Sequence, residues 1–349
     1  MEIIADFAYG FLEFLSLAFA AGLAVIVVAV IYMYIVDVNQ SEQTIRRNYP
    51  VIGRLRYKFE HLGEFFRQYF FAQDREELPF NRAQRAWVYR AAKNVDSTVA
   101  FGSTRPLDKP GDLLFLNCPF PTLEEEAEEA SFVTIGPYAK QPYVTNSIYN
   151  ISGMSFGALS VPAVKALSTG AKKAGVWMNT GEGGLSSYHL QGGCDIVFQI
   201  GTAKYGVRNS EGLLSDEKLR EKAAHPQVKM FELKLSQGAK PGKGGILPAE
   251  KVNQEIADIR GIPVGHASIS PNRHPDIASM DDLLDRLIHI REVTGKPVGF
   301  KLVLGTTDWL DQFCEAVLKR GIEAAPDFIT LDSADGGTGA APMPLMDSV

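Results

Sequence analysis

Glycine-rich clusters recur along this chain from about residue 147 onward, nearly all of them at the end of a short apolar run. The apolar runs alternate with helical stretches, which is the pattern of repeated βα units. Strands are predicted at residues 147–151, 176–179, 196–200, 230–235, 298–303 and 328–331. In a (β/α)8 barrel, the loops at the carboxyl ends of several strands together build the active site. The sequence therefore predicts an α/β fold, a TIM-type barrel of which about six of the eight strands are present.

A doubly wound parallel sheet is the competing architecture, since it also places ligands at the carboxyl ends of its strands. Such a sheet usually concentrates its glycine motif after the first strand, whereas glycines here follow nearly every predicted strand. The paired glycines at 183–184 and 244–245 match neither the dinucleotide fingerprint nor a P-loop. The barrel is therefore the favoured prediction.

An uncharged stretch of 23 residues runs from Phe14 to Val36 and is bracketed by Glu13 and Asp37. A helix needs about 20 residues to cross the hydrocarbon of a bilayer, so this stretch predicts one transmembrane helix. A cleaved signal peptide fits less well, because the preceding segment is acidic and the apolar run is too long. Basic residues follow the helix at positions 46, 47, 54, 56 and 58. By the positive-inside rule they predict a single-pass protein of the cytoplasmic membrane with its later residues in the cytoplasm.

The chain is thus divided into four predicted segments. They are a short extracytoplasmic amino terminus (1–13), the transmembrane helix (14–36), a cytoplasmic connector and accessory segment (37–147) and the partial barrel (148–349). Residues 41–104 interleave aromatic and basic side chains. That mixture fits a helix lying on a membrane surface, and it fits equally a helix packed on the main domain.

Charge and cysteine content exclude some classes of function. The net charge of −6 and pI near 5.6 leave no basic surplus for neutralising phosphates, which argues against nucleic-acid binding. The three cysteines are far apart and provide neither a disulfide framework nor a metal-ligand spacing. His266 and His274 also lack a paired-ligand spacing and are expected to have structural roles, so no metal site is predicted.

Two lysines stand out because they lie inside apolar strand runs. Lys234 and Lys301 would be costly to bury unless each meets an anion or a reduced cofactor. Alternation along a strand does not decide whether they face inward or outward. Polar residues that could converge on a carboxylate-bearing substrate are Glu182, Gln199, Gln237, Lys240 and Arg260.

The segment Gly153–Gly157 fits the nucleophile-elbow pattern G-x-S-x-G and supports a rival interpretation. A hydrolase would use Ser155 with His266 or His274. The pattern fixes only three positions, and no oxyanion segment of the HGGG type precedes it. A tight turn that brings backbone close to a ligand is the preferred interpretation.

Four motifs carry a family resemblance. They are MSFGALS at 154–160, NTGEGG at 179–184, QGAKPGKGGILP at 237–248 and DGGTG at 335–339. In this order, over about residues 148–349, they resemble the FMN-binding synthase domain of glutamate synthase. The segments NYPVIG at 48–53 and PFNR at 79–82 resemble membrane-anchored bacterial proteins of that family.

The resemblance implies a flavoprotein that reduces 2-iminoglutarate, formed from 2-oxoglutarate and ammonia, to L-glutamate. The residues implied to bind FMN are Met154, Ser155, Asn179, Gln199, Lys234, Lys301, Gly336 and Gly337. Those implied at the 2-oxo acid are Glu182, Gln237, Lys240 and Arg260, with Glu182 and Lys240 as catalytic groups. Positive charge from Lys234 or Lys301 would stabilise the anionic reduced flavin.

Three departures from the family pattern modify this expectation. Ile246 stands where the family commonly has a glutamine, so one substrate contact is expected to be missing. A membrane helix replaces the amino-terminal glutaminase domain, which leaves free ammonia or a glutaminase partner as the nitrogen source, alongside an electron-donor protein. The family's iron–sulfur ligands and much of its FMN phosphate site follow the DGGTG segment. Any cluster would therefore take its ligands from beyond residue 349, and the sequence is expected to be truncated.

Two alternatives remain open at this stage. One is a flavin barrel with a different substrate, such as an amino-acid dehydrogenase that feeds membrane electron carriers or an enzyme similar to N-methylglutamate synthase. The other is an inactive fragment tethered to the membrane.

Overall fold

The structure, a computed structural model, describes residues 2–71, 75–78, 80–96, 98, 110, 114–333, 338–339 and 341–347. The chain divides into two compact units, Met1–Asp112 and Leu113–Val349. The first unit is helical, and the second contains every described strand.

The helices of the first unit are α1 (Glu2–Asn39), α2 (Thr44–Asn48), α3 (Gly53–Phe66) and α4 (Arg82–Ala92), with a π-helical turn at Arg67–Phe71. Helix α1 contains the whole uncharged stretch predicted to be helical. Its segment Tyr9–Asn39, 31 residues long, is long and apolar enough to cross a membrane.

The end of α1 is joined to α2 and α3 by one buried carboxylate. Asp37 has no exposed side-chain surface and accepts hydrogen bonds from Arg46 Nε at 2.9 Å and Arg54 Nε at 2.9 Å. It also accepts one from the backbone N–H of Val51 at 3.0 Å. Because a buried charge is tolerated only when it is paired and hydrogen-bonded, these contacts hold residues 46–54 against the end of α1. We call this group of four residues the Asp37 cluster.

The second unit alternates strands and helices. Its strands are β1 (Val133–Ile135), β2 (Tyr143–Thr145), β3 (Trp177–Asn179), β4 (Asp195–Ile200), β5 (Val228–Lys234), β6 (Ile246–Leu247), β7 (Ser268–Ile269), β8 (Val298–Val303) and β9 (Ile329–Asp332). Its helices are α5 (Val161–Ala174), α6 (Ser187–Gln191), α7 (Asp216–Ala224), α8 (Gln254–Arg260), α9 (Met280–Thr294), α10 (Asp308–Arg320) and α11 (Met343–Met346).

Five parallel strands form the central sheet, in the order β3-β4-β5-β8-β9. The order follows the chain without reversing, whereas a doubly wound sheet reverses direction at its switch point. The sheet is therefore half of a barrel, which confirms the predicted fold class. Two antiparallel pairs, β1–β2 and β6–β7, lie outside it.

The strand predicted at 147–151 is wrong in extent. Only Ile151 pairs, through a single parallel bridge to Met178. At the preceding position the Asn150 side chain, rather than backbone, accepts the hydrogen bond of Trp177 N–H at 3.2 Å. The side chain thus replaces a ladder bond, and five strands plus one bridge stand where six strands were predicted.

Between the fourth and fifth predicted strands the sequence also predicts a helix near residues 248–260, and the helix found there, α8, is shorter. A 3-10 turn at Ala249–Lys251 precedes it, and α8 begins only after Asn253. The Asn253 side chain accepts a hydrogen bond from Ile256 N–H at 2.9 Å. This N-cap sets the start of the helix.

The two faces of the sheet have different partners. Residues on the outer face, such as Phe198, Phe231 and Phe300, are fully buried in the main core with apolar residues of helices α5 and α9. The inner face has an apolar layer at its amino-terminal end, which contains Val197 and Met230 and packs against Tyr143 of β2. Polar residues follow on the same face, two positions further along each strand.

Gly299 on β8 lies where a side chain would not fit, because a Cβ atom there would overlap the carbonyl oxygen of Phe328. We expect Gly299→Ala to lower the free energy of unfolding by about 1–3 kcal/mol through this overlap. Gly170→Ala in α5 is the control, since nothing lies within 4 Å of that position. It should leave stability unchanged or raise it by up to about 1 kcal/mol. Denaturant unfolding of the full chain in detergent measures both, and equal effects would contradict the close packing at Gly299.

Candidate functional site

A cavity of about 520 Å³, here called cavity A, opens at the carboxyl ends of the parallel strands. Such a position is where a barrel collects its functional loops. The predicted site residues that line it are Met154, Ser155, Glu182, Gln199, Lys234, Gln237 and Lys301. Its volume is in the range of cofactor and ligand sites, roughly 300–1,000 Å³.

A second cavity of about 90 Å³, cavity B, is lined by Ser155, Glu182, Tyr205, Lys240 and Arg260. Ser155 and Glu182 also line cavity A, so the two cavities are neighbours. Ile246, the departure from the family pattern, lines cavity B as well. The structure thus brings together two cations and one carboxylate, although Glu182 and Arg260 lie 78 positions apart in the sequence.

Not all predicted residues line these cavities in the same way. Gln237, predicted at the substrate, lines cavity A rather than cavity B. Asn179 is buried below the cavities and acts on its neighbours through hydrogen bonds. Gly336 and Gly337 lie outside the residues that the structure describes.

Glycine allows two loops to meet backbone to backbone beside cavity A. Gly181 has a positive φ of 64°, and a Cβ there would lie 2.7 Å from the backbone nitrogen of Ser155. The Asn179 side chain holds this turn, because its Oδ1 accepts from Gly181 N–H at 2.9 Å. Asn179 O also accepts from Met154 N–H at 3.1 Å. The tight turn expected at Gly153–Gly157 is therefore packed against the next glycine loop.

His189 supports the same loop from beneath. Its Nε2 lies 2.8 Å from the carbonyl oxygen of Met154, and its Nδ1 lies 2.7 Å from the Ser186 hydroxyl. Burial lowers the pKa of His189, so the neutral ring is favoured. A neutral ring donates from Nε2 to the carbonyl and accepts at Nδ1 from the hydroxyl.

Glu232 is a buried carboxylate at the centre of the inner face. It accepts hydrogen bonds from Asn179 Nδ2 at 2.8 Å, Gln199 Nε2 at 2.6 Å and Thr330 Oγ1 at 2.6 Å. An ionised carboxylate only accepts hydrogen bonds, so it turns the NH₂ group of each amide toward itself. The carbonyl oxygen of Gln199 is then left for a ligand in cavity A.

Both strand lysines face inward and both meet carboxylates. Lys234 Nζ lies 3.0 Å from Glu182 Oε1 and also contacts Gln237, while Lys301 Nζ lies 3.5 Å from Asp332 Oδ2. Burial lowers the pKa of Lys234, the Glu182 carboxylate opposes that change, and the charge of Lys301 adds to it. Two lysine–carboxylate ion pairs therefore line cavity A.

Arg260 is held in place by several contacts. It donates to Ser268 Oγ at 2.8 Å and to Phe156 O at 3.4 Å, and its guanidinium lies 5.3 Å from the centre of the Tyr205 ring. Its buried Nε has no hydrogen-bond partner among the described residues. Burial lowers the pKa of Arg260 and also that of Lys240, and the Glu182 carboxylate partly offsets the change in both. The smaller cavity thus holds two poorly solvated cations, which favours an anionic ligand.

The hydrolase interpretation gains no geometric support. Within the described part of the chain Ser155 has no hydrogen bond to a histidine. His274 Nε2 lies 3.0 Å from Lys234 O, and burial lowers the pKa of His274 to about 4. His266 is exposed and contacts the carbonyl oxygen of Val264. Both histidines contact backbone carbonyl oxygens, as expected for residues with structural roles.

Sequence reasoning missed Glu232, Asp332 and Tyr205. The signal for Glu232 was present, since it lies two positions before Lys234 on the same strand and therefore shares its face. Its importance depends on partners from three other strands, which no local pattern identifies.

We expect Glu232→Gln to lower the free energy of unfolding by about 1–3 kcal/mol, because a glutamine oxygen replaces only part of the carboxylate's acceptor capacity. Asn179 and Gln199 both donate to Oε1, so the new NH₂ group would take the place of Oε2 and face the Thr330 hydroxyl, which now donates to that oxygen. Glu292→Gln on the exposed face of α9 is the matched control and should stay within about 0.5 kcal/mol of the parent. Urea unfolding followed by circular dichroism measures both. An equal, small effect at the two positions would show that the inner carboxylate does not hold the strands.

Comparisons with known proteins agree on one family. A family model described as the conserved region in glutamate synthase matches residues 112–349. The chain is 39% identical over 373 aligned residues to the glutamate synthase large subunit-like protein YerD of Bacillus subtilis (strain 168), which covers 95% of this chain and 70% of that protein.

Two other relatives cover less. A glutamate synthase large subunit-like protein of Rhizobium meliloti (strain 1021) is 31% identical over 284 residues, 79% of this chain and 59% of the relative. An archaeal-type glutamate synthase (NADPH) of Thermotoga maritima is 36% identical over 200 residues, 57% of this chain and 36% of the relative. The chain therefore spans between about a third and 70% of the length of these relatives.

Proposed function

The chain belongs to the glutamate synthase family of oxidoreductases, and we propose that it is an FMN-dependent enzyme that reduces 2-iminoglutarate to L-glutamate. The observation that carries the proposal is the adjacency of cavities A and B, which share Ser155 and Glu182. One offers the volume and polar lining of a cofactor site, and the other offers two cations for a dicarboxylate.

The residues around cavity A fit FMN. Glycine loops bring backbone N–H groups to its edge, which suits the close approach of a planar ring. Gln199 and Gln237 offer amide groups, while Lys234 and Lys301 offer positive charge. This donor set matches a ring that carries both hydrogen-bond donors and acceptors and becomes anionic on reduction.

Bound FMN would supply hydride-transfer chemistry at cavity A. The lysines Lys234 and Lys301 would stabilise negative charge on the ring, and Glu182 and Asp332 would keep both lysines in position. Glu232 would orient Gln199 so that its carbonyl oxygen meets a ring N–H group. We assign Met154, Ser155 and Asn179 to the walls that hold the ring.

The substrate would bind in cavity B. Lys240 and Arg260 would each take one carboxylate of the 2-oxo acid, with the Tyr205 ring holding the guanidinium in orientation. Glu182 borders both cavities and is the group we assign to proton exchange with the substrate nitrogen, with Lys240 as the second catalytic group. Ile246 replaces a polar contact with an apolar one, so affinity would depend more on the two cations.

The nitrogen would come from free ammonia or from a separate glutaminase, and electrons from a donor protein.

A second function keeps FMN and changes the acceptor. Ile246 in cavity B and the apolar helix α1 favour an amino-acid dehydrogenase that delivers electrons to membrane carriers.

We expect purified protein to show flavin absorption that dithionite bleaches and that 2-oxoglutarate with ammonium restores under anaerobic conditions. Arg260→Lys should raise KM for 2-oxoglutarate by about tenfold or more, because a lysine cannot make the bidentate contact. The control Arg220→Lys, on the exposed side of α7, should leave KM unchanged. Restoration by a quinone but not by 2-oxoglutarate would favour the dehydrogenase. Absence of flavin from a protein that also carries the FMN phosphate segment expected beyond residue 349 would overturn both functions.

We also propose that α1 anchors the protein in the cytoplasmic membrane with all later residues in the cytoplasm. The support is its 31-residue apolar segment and the basic residues that follow Asp37. The protein should stay with membranes after alkaline carbonate extraction and keep an amino-terminal tag. Val25→Arg with Val28→Arg should release it, since each charge at mid-helix costs about 2.5–3.5 kcal/mol of insertion. Loss of the tag would indicate a cleaved signal sequence instead.

A further inference from the structure

Helix α3 carries a continuous apolar stripe. Ile52 at its N-cap and Leu55, Phe59, Leu62 and Phe66 within it recur every three or four residues. At about 100° per residue, these five side chains fall within about 80° of the helix circumference. All five are exposed, Ile52 to 72% and Phe59 to 67% of their surface. An apolar stripe this regular needs a partner.

Charged residues are arranged around the stripe in a definite order. Lys58 and Arg56 lie about 40° beyond its two edges, one on each side. The acidic residues Glu60 and Glu64 lie on the opposite half of the helix, and Glu60 pairs with Arg56 at 3.0 Å. Long basic side chains that flank an apolar stripe can extend toward lipid phosphates while their stems cover apolar surface. This order matches a helix lying in a membrane interface.

The π-helical turn at Arg67–Phe71 lengthens the same surface. Phe70 and Phe71 are exposed, and the Phe70 ring centre lies 5.7 Å from that of Phe66. Phenylalanine is one of the residues found on the apolar face of helices that lie in a membrane interface.

The Asp37 cluster holds the start of α3 beside the end of α1. Asp37 directly follows the uncharged run of α1, so it marks the end of the segment proposed to cross the membrane. Arg54, in the first turn of α3, donates to Asp37 at 2.9 Å. The first turn of α3 therefore lies at the membrane boundary if α1 spans.

We propose that α3 is an interfacial helix whose stripe inserts between the headgroups and acyl chains of the leaflet where α1 ends. The inference rests on the proposed membrane anchor and adds a second, lateral contact with the same bilayer. Its occupant is an anionic lipid surface, because basic side chains border the stripe and the acidic ones face away. A protein occupant would require no such separation of charge.

The test uses the full chain in vesicles of phosphatidylcholine and phosphatidylglycerol. The exposed cysteines Cys118 and Cys314 are replaced by serine, and Cys194 is buried and retained. Single cysteines are then introduced by Phe59→Cys on the stripe, Glu60→Cys on the opposite half and Val25→Cys in α1. Each is labelled with an environment-sensitive nitrobenzoxadiazole dye. Lipids with a nitroxide near the headgroup or deep in the acyl chain quench the dye according to its depth.

We expect the dye at position 59 to be quenched by the shallow nitroxide about threefold more than the dye at position 60. Omitting phosphatidylglycerol should reduce this difference, and the deep nitroxide should quench position 25. Equal shallow quenching at 59 and 60, with deep quenching at 25, would overturn the interfacial helix and leave the anchor intact. A blue-shifted, unquenched dye at 59 would identify a protein occupant and also overturn it. No deep quenching at 25 would instead refute the anchor, while flavin absorption reports separately on the enzyme.

Discussion

The inner carboxylate of Glu232 is the interaction on which the arrangement of the site depends. Its three hydrogen bonds join β5 to residues of β3, β4 and β9, so four of the five parallel strands meet at one charge. Several of the loops that line cavities A and B begin within a few residues of Asn179, Glu232 and Thr330. A charged acceptor in a buried place makes each bond strong, because leaving any donor unpaired there is costly. The strand ends, and the loops they carry, are thereby held in a single geometry.

Four cations of the site are divided between cavities A and B. Lys234 and Lys301 are paired within cavity A, whereas Lys240 and Arg260 face cavity B. Glu182 stands between them and contacts Lys234. A ligand in cavity B would therefore meet Lys240 and Arg260, while the lysines of cavity A face their own carboxylates. In the proposed function, this placement would let one barrel mouth hold both a flavin ring and a dicarboxylate.

The sequence alone predicted most of the architecture but less of the site. Five of the six predicted strands are present because apolar runs bounded by glycine specify buried parallel strands well. The run at 147–151 failed because the Asn150 side chain replaces a backbone bond, which no strand pattern reveals. The direction of Lys234 and Lys301 was undecidable, since both faces of such strands are apolar. The sequence offered Lys240 and Arg260 as residues that could converge, and the family resemblance assigned both to the substrate, but no periodicity fixes their adjacency because it depends on loops of separate βα units.

The Asp37 cluster also has a consequence for the order in which the protein is made. The three partners of Asp37 lie only 9, 14 and 17 positions away from it, while those of Glu232 lie 33, 53 and 98 positions away. Short-range contacts close early because little loop entropy is lost. On the ribosome, the turn after α1 can therefore form before any barrel strand has been synthesised. The barrel strands would then begin to fold after the contacts between the end of α1 and helices α2 and α3 have formed.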